Sequence, residues 1–528
     1  MTFTAPHANP LDAAMSTRSI KTRFLVSFGS TLARGIIGLL SGLLVARGLS
    51  PNGYGDLMFL LGSFTAIRSL LDMGTSNAFY TFIAQRPRGQ KFYLYYMGWL
   101  ALQFILAILV VAAIMPGWML EKTWLGHARQ VVVLAFVATF LQQQVWQTVN
   151  QIAEASRKTV SVQLLGLGVA VAHLALVSLL LIFRWMAVTA MLWLFVVEYA
   201  AAVLVAFLLL NERKADPVVS QNADCSFRRV MNEYWIYCRP LILISLLTFV
   251  GEFADKWFLQ RFGGSNQQGY FQIAFQFSAV SLLVTSSIIN IFWKEIAEAN
   301  EQKKWDVVAA LYHRVNRGLF MVSAGMSGFL IPWTREIVGT VLGQQYALSV
   351  PAFMVMFLYP VHQSMGQVGS VMMWASGRTN TYMKLVAAVS FLSLPLAYIV
   401  QAPTSDPLLP GLGLGAVGMA LKTVAVNIVS VNVLAWVISR YYRWKFDWFY
   451  QVSGLAISIV VGYVLKTGIM GVISVIAGTG KQYLLPSFVL SGIAYSGIML
   501  SIIWWMPWLI GMERKEITEL VKWKGRAG

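Results

Sequence analysis

The feature that most constrains this chain is a series of apolar runs, each about 20 residues long, that recurs from Phe24 to Ile510. A helical run of this length crosses the ~30 Å hydrocarbon core of a bilayer at ~1.5 Å per residue. Hydrophobic residues make up 57% of the 528 residues and charged residues only 12%, which excludes a soluble domain of this size. The sequence therefore predicts an all-α polytopic membrane protein.

We predict about 14 transmembrane helices from these runs. Their predicted positions are 22–46, 56–83, 92–115, 130–153, 160–183, 187–210, 240–261, 268–293, 317–342, 347–374, 383–402, 413–437, 448–470 and 483–510. Most of the 40 Lys and Arg residues fall in connections that lie inside if both termini are cytoplasmic, as the positive-inside rule requires. The net charge of +18 therefore indicates membrane orientation and not a nucleic-acid partner.

The longest predicted internal connection divides the chain into two pseudo-symmetric six-helix bundles. The domains that we predict are a cytoplasmic segment 1–21, an N-terminal six-helix bundle 22–210, a cytoplasmic linker 211–239, a C-terminal six-helix bundle 240–437, an extra helix pair 448–510 and a basic cytoplasmic tail 511–528.

A matched loop in each half supports this division. ARGLSPNGYGDLMFLLGSF follows the first predicted helix and QRFGGSNQQGYFQIAFQFS follows the seventh. In each loop a basic residue, Arg47 or Arg261, precedes a Gly-Tyr pair, Gly53-Tyr54 or Gly269-Tyr270. Repeated halves are common in transporters, whose substrate sites lie between the repeats.

Eight ionisable residues fall within the predicted spans: Arg34, Arg68, Asp72, Glu198, Glu252, Asp255, Lys256 and Lys422. Facing lipid, they would cost roughly 3 kcal/mol each, so we expect them to pair or to line a wet cavity. Their spacing predicts ion pairs between Glu252 and Lys256 and between Arg68 and Asp72, each four residues apart on a helix. Lys422 lies near a helix end, from which its ammonium could reach the interface.

Two interpretations of these charges stay open. In the first, they are interhelical salt bridges that hold the two halves together. In the second, they form a central site whose internal pairs exchange partners when an anionic substrate or a proton arrives. The second makes Arg34, Arg68 and Lys256 substrate-binding candidates. It makes Asp72, Glu198, Glu252 and Asp255 their charge partners or ion-coupling sites.

The fourth predicted helix carries amide side chains at helical spacing, in LQQQVWQTVNQI. Gln143, Gln147 and Asn150 are further substrate-binding candidates, because amides in a membrane contact either a neighbouring helix or a watery pathway. Packing between helices and binding of a hydroxylated cargo are both compatible with this pattern.

Enzyme and cofactor motifs are absent from the sequence. GLGAVG at 413–418 matches the dinucleotide pattern GxGxxG, but PTSDPLLP precedes it in place of a buried strand. The chain contains no Walker P-loop, no zinc-binding HExxH and no nucleophile elbow. We therefore predict a transporter without catalytic residues, bound metal or cofactor.

Several of these features together resemble the polysaccharide-lipid flippases of the multidrug, oligosaccharidyl-lipid and polysaccharide exporter superfamily. They are the six-plus-six-plus-two helix order, RGLSPNGYGDLMFL after the first helix, FADKWFLQRFGG before GYFQIAFQFS, and GLGLGAVGMAL before the twelfth helix. The resemblance covers essentially the whole chain.

The resemblance implies two six-helix bundles around a cavity, alternating access, and a cargo of undecaprenyl-pyrophosphate-linked oligosaccharide repeat units. It places the protein in a bacterial inner membrane, in exopolysaccharide or surface polysaccharide assembly, beside membrane lipid, a polysaccharide polymerase and export machinery. Coupling to H⁺ or Na⁺ stays open. Arg34, Arg68 and Lys256 become candidates for pyrophosphate contact.

Two other functions stay open at this point. A cation-coupled multidrug exporter of the same superfamily is the first alternative, although twelve helices are usual there. A membrane glycan polymerase or ligase is the second, although such enzymes carry a large external loop that this chain lacks.

Overall fold

The described part of the chain is almost entirely helical. A computed structural model describes residues 10–156, 158–210, 226–407, 409–478, 480–516 and 518. No β-strand occurs among these residues. The α-helices are α1 (Pro10–Asp72), α2 (Thr75–Gln85), α3 (Gln90–Leu109), α4 (Gly117–Trp124), α5 (Arg129–Phe140), α6 (Trp146–Ala155), α7 (Thr159–Ile182), α8 (Val188–Leu210), α9 (Phe227–Phe258), α10 (Gly264–Glu301), α11 (Trp305–Leu330), α12 (Thr334–Ile337), α13 (Val350–Met356), α14 (Tyr359–Ala375), α15 (Thr379–Gln401), α16 (Gly415–Tyr442), α17 (Phe449–Ala477) and α18 (Leu484–Trp505). Short π-helices cover Val110–Ile114, Leu141–Val145, Leu259–Gly263 and Val338–Leu342, and 3₁₀-helices cover Gln344–Ser349, Lys481–Tyr483 and Pro507–Ile510. The predicted all-α class is confirmed.

The apolar helices confirm a multi-pass membrane protein. Nine of the described helices are long and apolar enough to cross a membrane, and a tenth span results if the bent pair Gly117–Trp124 and Arg129–Ala155 counts as one. Two of the nine, Phe28–Asp72 and Phe227–Leu282, contain 45 and 56 residues. Each is longer than the ~20 residues of a single crossing. The number of 14 spans and the cytoplasmic position of both termini stay predictions.

Several predicted spans are interrupted in the structure. The predicted span 56–83 breaks after Asp72, where Met73 and Gly74 have positive φ angles and α2 begins. A Cβ at Gly74 would lie 2.6 Å from Leu241 Cδ1, so the tight packing at this break requires glycine.

The predicted spans 317–342 and 347–374 also break. The first is interrupted between α11 and α12, and the second between α13 and α14. A proline lies at or just beyond each break, Pro332 and Pro360. Proline has no backbone N–H and clashes with the preceding helical turn, so it favours such interruptions.

Part of the predicted linker 211–239 is helical, because α9 begins at Phe227. Residues 211–225 lie outside the described part of the chain. The early turns of α9 are held by Glu233, whose carboxylate pairs with Arg86 at 3.0 Å and with Arg88 at 2.9 Å. These partners are distant in sequence, so the spacing of apolar residues did not reveal this extension.

The described helices belong to two compact units. Unit 1 contains residues 1–48 and 60–249, and unit 2 contains residues 49–59 and 250–528. Unit 2 includes the C-terminal helix pair α17 and α18, which was predicted as a separate addition. It also includes residues 49–59, which were predicted within the N-terminal bundle.

A reciprocal glycine contact explains why residues 49–59 belong to unit 2. A Cβ on Gly55 would lie 1.8 Å from the carbonyl oxygen of Ser265, and a Cβ on Gly269 would lie 2.2 Å from the carbonyl oxygen of Pro51. Both distances are shorter than any real Cβ contact, so the two backbones can touch only where both residues are glycine. We call this contact the glycine crossing.

The glycine crossing also defines the register of the internal repeat. Ser50 (φ 62°, ψ 169°) and Gly264 (φ 76°, ψ 175°) share the same backbone conformation, and each precedes a helical segment. Each also lies five residues before its glycine of the crossing. Gly269 therefore matches Gly55, whereas the alignment of the two Gly-Tyr pairs in the sequence matched Gly269 with Gly53. Ser50 occupies a region that strongly favours glycine.

Polar side chains support the two helices at the crossing. The Ser265 hydroxyl donates to Asp56 Oδ1 at 2.5 Å, and Gln260 Nε2 donates to the same oxygen at 3.1 Å. The Tyr54 hydroxyl donates to Gln276 Oε1 at 2.8 Å. These bonds link the two matched loops side by side within unit 2.

The C-terminal pair packs through close backbone contacts. A Cβ on Gly328 of α11 would lie 2.5 Å from the carbonyl oxygen of Ser458 in α17, and a Cβ on Gly462 would lie 2.0 Å from the carbonyl oxygen of Gly328. Lys466 of α17 donates to the Pro332 carbonyl at 2.8 Å and to Glu336 at 2.7 Å. The break between α11 and α12 is thus stabilised by α17.

Candidate functional site

Arg34 is held by an amide side chain of a neighbouring helix in unit 1. Its Nη2 donates to Gln163 Oε1 of α7 at 2.6 Å, and its Nε donates to the Ser30 carbonyl at 3.4 Å. Gly166, one turn along α7, leaves room for the guanidinium, because a Cβ there would lie 2.9 Å from Arg34 Nη1. The orientation of Arg34 is therefore set without a carboxylate.

Arg68 is also held by amides. Its Nε donates to Gln144 Oε1 at 2.9 Å and its Nη2 donates to Gln147 Oε1. Gln144 belongs to the π-helix Leu141–Val145 and Gln147 to the first turn of α6. Single-turn π-helices are frequent at functional sites. Here the π-helix and the helix that follows place two amide oxygens against the Nε and Nη2 groups of one guanidinium.

The predicted Arg68–Asp72 ion pair is not formed. Asp72 is the last residue of α1, and its carboxylate turns towards the start of α2. There it accepts hydrogen bonds from the Ser76 backbone N–H at 3.0 Å and from the hydroxyls of Thr75 and Ser76. Such bonds satisfy the free N–H groups of a helix N-terminus. Gln144 Nε2 donates to Asp72 at 3.2 Å and so links it indirectly to Arg68.

The amide side chains predicted to bind cargo have partners within the protein. Gln143 donates to Thr65 at 2.9 Å, Gln147 accepts from Arg68, and Asn150 donates to the Trp146 carbonyl at 2.8 Å. The cavity beside Arg68 and Gln144 has a volume of about 10 Å³, which is room for about one water molecule. These contacts favour the packing interpretation of this helix face.

Glu198 pairs with a histidine that the sequence did not connect to it. His173 Nδ1 of α7 lies 2.8 Å from Glu198 Oε2 of α8. The Glu198 side chain is 5% exposed. Its Oε1 has no hydrogen-bond partner among the residues that the structure describes. The spacing of these two residues on different helices carries no signal in one sequence.

In unit 2, Asp255 forms a bidentate pair with Lys422. Lys422 Nζ lies 2.7 Å from Asp255 Oδ1 and 2.6 Å from Oδ2. The Lys422 side chain is 4% exposed. The prediction that Lys422 extends to the membrane interface is therefore wrong, because its ammonium has a carboxylate partner inside the unit.

The predicted Glu252–Lys256 ion pair is not formed either. Lys256 Nζ donates instead to the backbone carbonyl of Glu252 at 3.5 Å. Within the described part of the chain, the exposed Glu252 carboxylate accepts no hydrogen bond. Two of the three Lys256 N–H donors stay available to a ligand.

The charges therefore divide into two classes. Asp72, Glu198 and Asp255 have partners other than those predicted: a helix end, a histidine and a lysine. Arg34 and Arg68 are oriented by glutamine oxygens. Over the described ranges, none of the cations Arg34, Arg68 and Lys256 has a carboxylate at ion-pairing distance. Each keeps a positive charge that no direct partner neutralises.

No group of three or more His, Cys, Asp or Glu residues that could hold a metal ion occurs in the part of the chain that the structure describes. The arrangement suits binding of an anion by guanidinium and ammonium groups, which requires no metal.

Two solved structures have a fold similar to that of this chain. The fold is similar to that of the lipid II flippase MurJ in an inward-closed conformation, with a TM-score of 0.65 and 14% identity, over 91% of this chain and 99% of that one. It is also similar to an inward-facing multidrug resistance MATE family transporter of the MOP superfamily, with a TM-score of 0.57 and 16% identity, over 80% of this chain and 99% of that one. Identities this low carry information about the fold alone.

Comparison of the sequence with known families identifies one match. The family described as "Polysaccharide biosynthesis protein" matches residues 21–293. No curated protein matches this sequence. Because the family match extends over more than half of the chain, this protein belongs to the polysaccharide biosynthesis protein family.

Proposed function

We propose that this protein is a flippase that moves undecaprenyl-pyrophosphate-linked oligosaccharide repeat units across the bacterial cytoplasmic membrane by alternating access. Family membership and the flippase-like fold support a lipid-linked glycan as cargo. The observation that carries the proposal is the set of cations without carboxylate partners, because a pyrophosphate offers the charge and the acceptor oxygens that they lack.

The orientation of Arg34 and Arg68 by amide oxygens has a chemical consequence. A glutamine fixes a guanidinium without neutralising it, whereas an aspartate or glutamate would compete with the phosphate. A transporter also has to release its cargo, and neutral partners can re-form hydrogen bonds with the arginine after release. The three cations are thus available to a headgroup in successive steps.

Cells without this protein test the cargo assignment. We expect deletion to leave undecaprenyl-linked repeat units accumulated in the membrane and surface polysaccharide depleted. Purified protein in proteoliposomes should expose these repeat units to a membrane-impermeant glycosidase. The same proteoliposome assay, run with and without H⁺ and Na⁺ gradients, shows whether either ion drives flipping. A normal lipid-linked pool and normal surface polysaccharide in the deletion strain would contradict the proposal.

A multidrug exporter is the second candidate, and its support is the similarity of the fold to a MATE transporter. Export of cationic drugs calls for acids without internal partners; Asp72, Glu198 and Asp255 have partners, so within the described part of the chain this role would fall to Glu252. Efflux of cationic dyes by cells that express the protein would favour this candidate.

The guanidinium of Arg68 is expected to be required for its geometry as well as its charge. In Arg68→Lys the single ammonium cannot contact two amide oxygens as the planar fork does, so we expect transport to fall about tenfold with little loss of folded protein. The measurement is the initial flipping rate in proteoliposomes, normalised to protein amount. Arg129→Lys is the matched control, because Arg129 donates only to the backbone carbonyls of Ala112 and Met115. Equal effects of the two substitutions would argue against a cargo role for Arg68.

The position of Arg34 can be tested without changing its charge. In Gly166→Ala the new methyl group would displace the tip of the Arg34 side chain, which is flexible enough to move. We expect the protein to fold and its flipping rate to fall several-fold. Gly168→Ala is the control, because nothing lies within 4 Å of a Cβ there on the same helix. Alanine should be neutral or stabilising at that position. Full transport by Gly166→Ala would show that the orientation of Arg34 is unimportant.

A further inference from the structure

Unit 2 contains a polar pocket that has no role in the charge arrangement described above. It lies between α14, α15 and α16 and has a volume of about 220 Å³. This volume is many times that of the cavity beside Arg68. Hydrogen-bonding side chains line it alongside apolar ones: Gln363, Ser370, Tyr382, Ser390, Asn427 and Ser430.

Glycines of α14 bring the walls of the pocket together. A Cβ on Gly366 would lie 2.8 Å from Val431 Cγ2 of α16, and a Cβ on Gly369 would lie 2.8 Å from Leu434 Cδ2. The side chains of α16 therefore approach the backbone of α14, and the pocket remains on the side where Gln363 projects from α14.

Some polar side chains of the pocket have no hydrogen-bond partner among the described residues. Neither the Gln363 amide nor the Ser390 hydroxyl has a hydrogen-bond partner among the described residues. Asn427 uses its Nδ2 to donate to the Tyr359 carbonyl at 3.1 Å, which leaves its Oδ1 as a further acceptor. Gln363 and Ser390 are partly buried, so their polar groups can form hydrogen bonds with a molecule that enters the pocket. Such groups around a pocket of this size are therefore suited to a polar ligand.

The chemistry of the lining narrows the class of ligand. Among the residues that the structure describes, no Lys, Arg, His, Asp or Glu lines the pocket, so these residues would not neutralise a phosphate or an ammonium. Amides and hydroxyls both donate and accept, as the adjacent hydroxyl groups of a sugar do. Tyr382 adds an aromatic face, and its ring packs edge-to-face against Trp374 at a centroid distance of 5.8 Å.

We propose that this pocket binds a neutral sugar ring of the cargo. The inference rests on the proposed function, and it assigns the sugar to a different place in the molecule from the cations that contact the pyrophosphate. Recognition would arise from Gln363, Ser390 and Asn427, which donate to and accept from the sugar hydroxyls, while the Tyr382 ring covers an apolar face of the sugar.

Binding can be measured without transport. The protein in nanodiscs is titrated with methyl glycosides of glucose, galactose, mannose and N-acetylglucosamine, and binding is followed by saturation-transfer difference NMR. We expect at least one glycoside to bind saturably. Ser390→Leu fills the pocket without removing an intramolecular hydrogen bond and should abolish this signal. Gln363→Leu should weaken binding about tenfold, because one or two hydrogen bonds are lost.

A matched serine controls for the substitution itself. Ser178→Leu also places leucine within a membrane helix, but Ser178 lies in unit 1 and its hydroxyl donates to the Leu174 carbonyl at 2.7 Å. Glycoside binding should survive this change. Absence of saturable binding to the native protein, or binding that Ser390→Leu leaves unchanged, would overturn the inference.

The sugar site and the proposed function can fail separately. If native protein flips lipid-linked repeat units but Ser390→Leu neither binds sugar less nor flips more slowly, the pocket assignment is wrong and the flippase assignment stands. If Ser390→Leu abolishes sugar binding while deletion of the gene leaves the lipid-linked pool unchanged, the pocket assignment stands and the flippase assignment is wrong.

Discussion

Gly55→Ala and Gly269→Ala are each expected to destabilise the protein strongly, because each substitution adds a methyl group against a backbone carbonyl oxygen. At Gly55 the new carbon would lie 1.8 Å from a backbone carbonyl oxygen, and at Gly269 it would lie 2.2 Å from one. Backbone cannot move aside as a flexible side chain can, so the two helices would have to separate. We expect a loss of at least about 1–3 kcal/mol for each variant, measured as a lower thermal midpoint of the purified protein.

Because each glycine of the crossing faces the other backbone, the double variant gives a second prediction. One methyl group already forces the two backbones apart, so Gly55→Ala combined with Gly269→Ala should cost clearly less than the sum of the single changes. Gly325→Ala is the control, since nothing lies within 4 Å of a Cβ at that position of α11. Two outcomes would show that the two loops do not meet at these glycines. One is that the losses of stability in the single variants add up in the double variant, and the other is that each single variant is as stable as Gly325→Ala.

Breaking the Asp255–Lys422 pair is expected to cost about 3–5 kcal/mol, because removal of one partner leaves the other charge without compensation. The two single changes should differ. Asp255→Asn leaves the ammonium of Lys422, whose side chain is 4% exposed, whereas Lys422→Met leaves the carboxylate of Asp255, whose side chain is 33% exposed and can be hydrated. We therefore expect Asp255→Asn to be the more damaging variant, in thermal midpoint and in yield of folded protein.

The double variant Asp255→Asn with Lys422→Met should recover most of the lost stability, because no buried charge remains. Lys256→Met is the matched control on α9, since the ammonium of Lys256 donates only a 3.5 Å hydrogen bond to a backbone carbonyl. It should have little effect on stability and a large effect on transport. A double variant as unstable as Asp255→Asn alone would contradict the pairing.

These two pairs of experiments separate structural charges from functional ones. Lys422 and Lys256 both lie in predicted membrane spans, yet within the described part of the chain Lys422 has a carboxylate at hydrogen-bond distance and Lys256 has none. A cation with a fixed internal partner stabilises the fold, and a cation without one is available to a ligand. This distinction is the physical reason that we propose Arg34, Arg68 and Lys256, and not Lys422, as contacts for a pyrophosphate.

The sequence predicted which residues are unusual better than it predicted their partners. Spacing along one helix suggested that Lys256 pairs with Glu252 and Arg68 with Asp72. The structure instead pairs Asp255 with Lys422, 167 positions away, and Glu198 with His173. Helical spacing reports only neighbours on the same helix, whereas charges inside a membrane protein find partners on other helices.

The pattern of apolar residues also failed to predict the breaks in the helices. Apolar residues resume soon after Met73 and Gly74, at Ala78 and Phe79, so hydropathy predicted one helix at 56–83. The packing of Leu241 against Gly74 and the hydrogen bonds of Asp72 to the start of α2 show why the chain bends there. Both depend on residues brought together by folding.

The amino-acid sequence by itself determined that this chain is an all-helical, multi-pass membrane protein and that a few charges lie inside its apolar helices. Hydrophobic burial and the rules of helix length need no partner residue, so they can be read along the chain. Only the tertiary structure decided that Gly55 meets Gly269, that amides and not acids hold Arg34 and Arg68, and that Gln363 and Ser390 line a pocket. Each of these depends on distances between helices far apart in sequence.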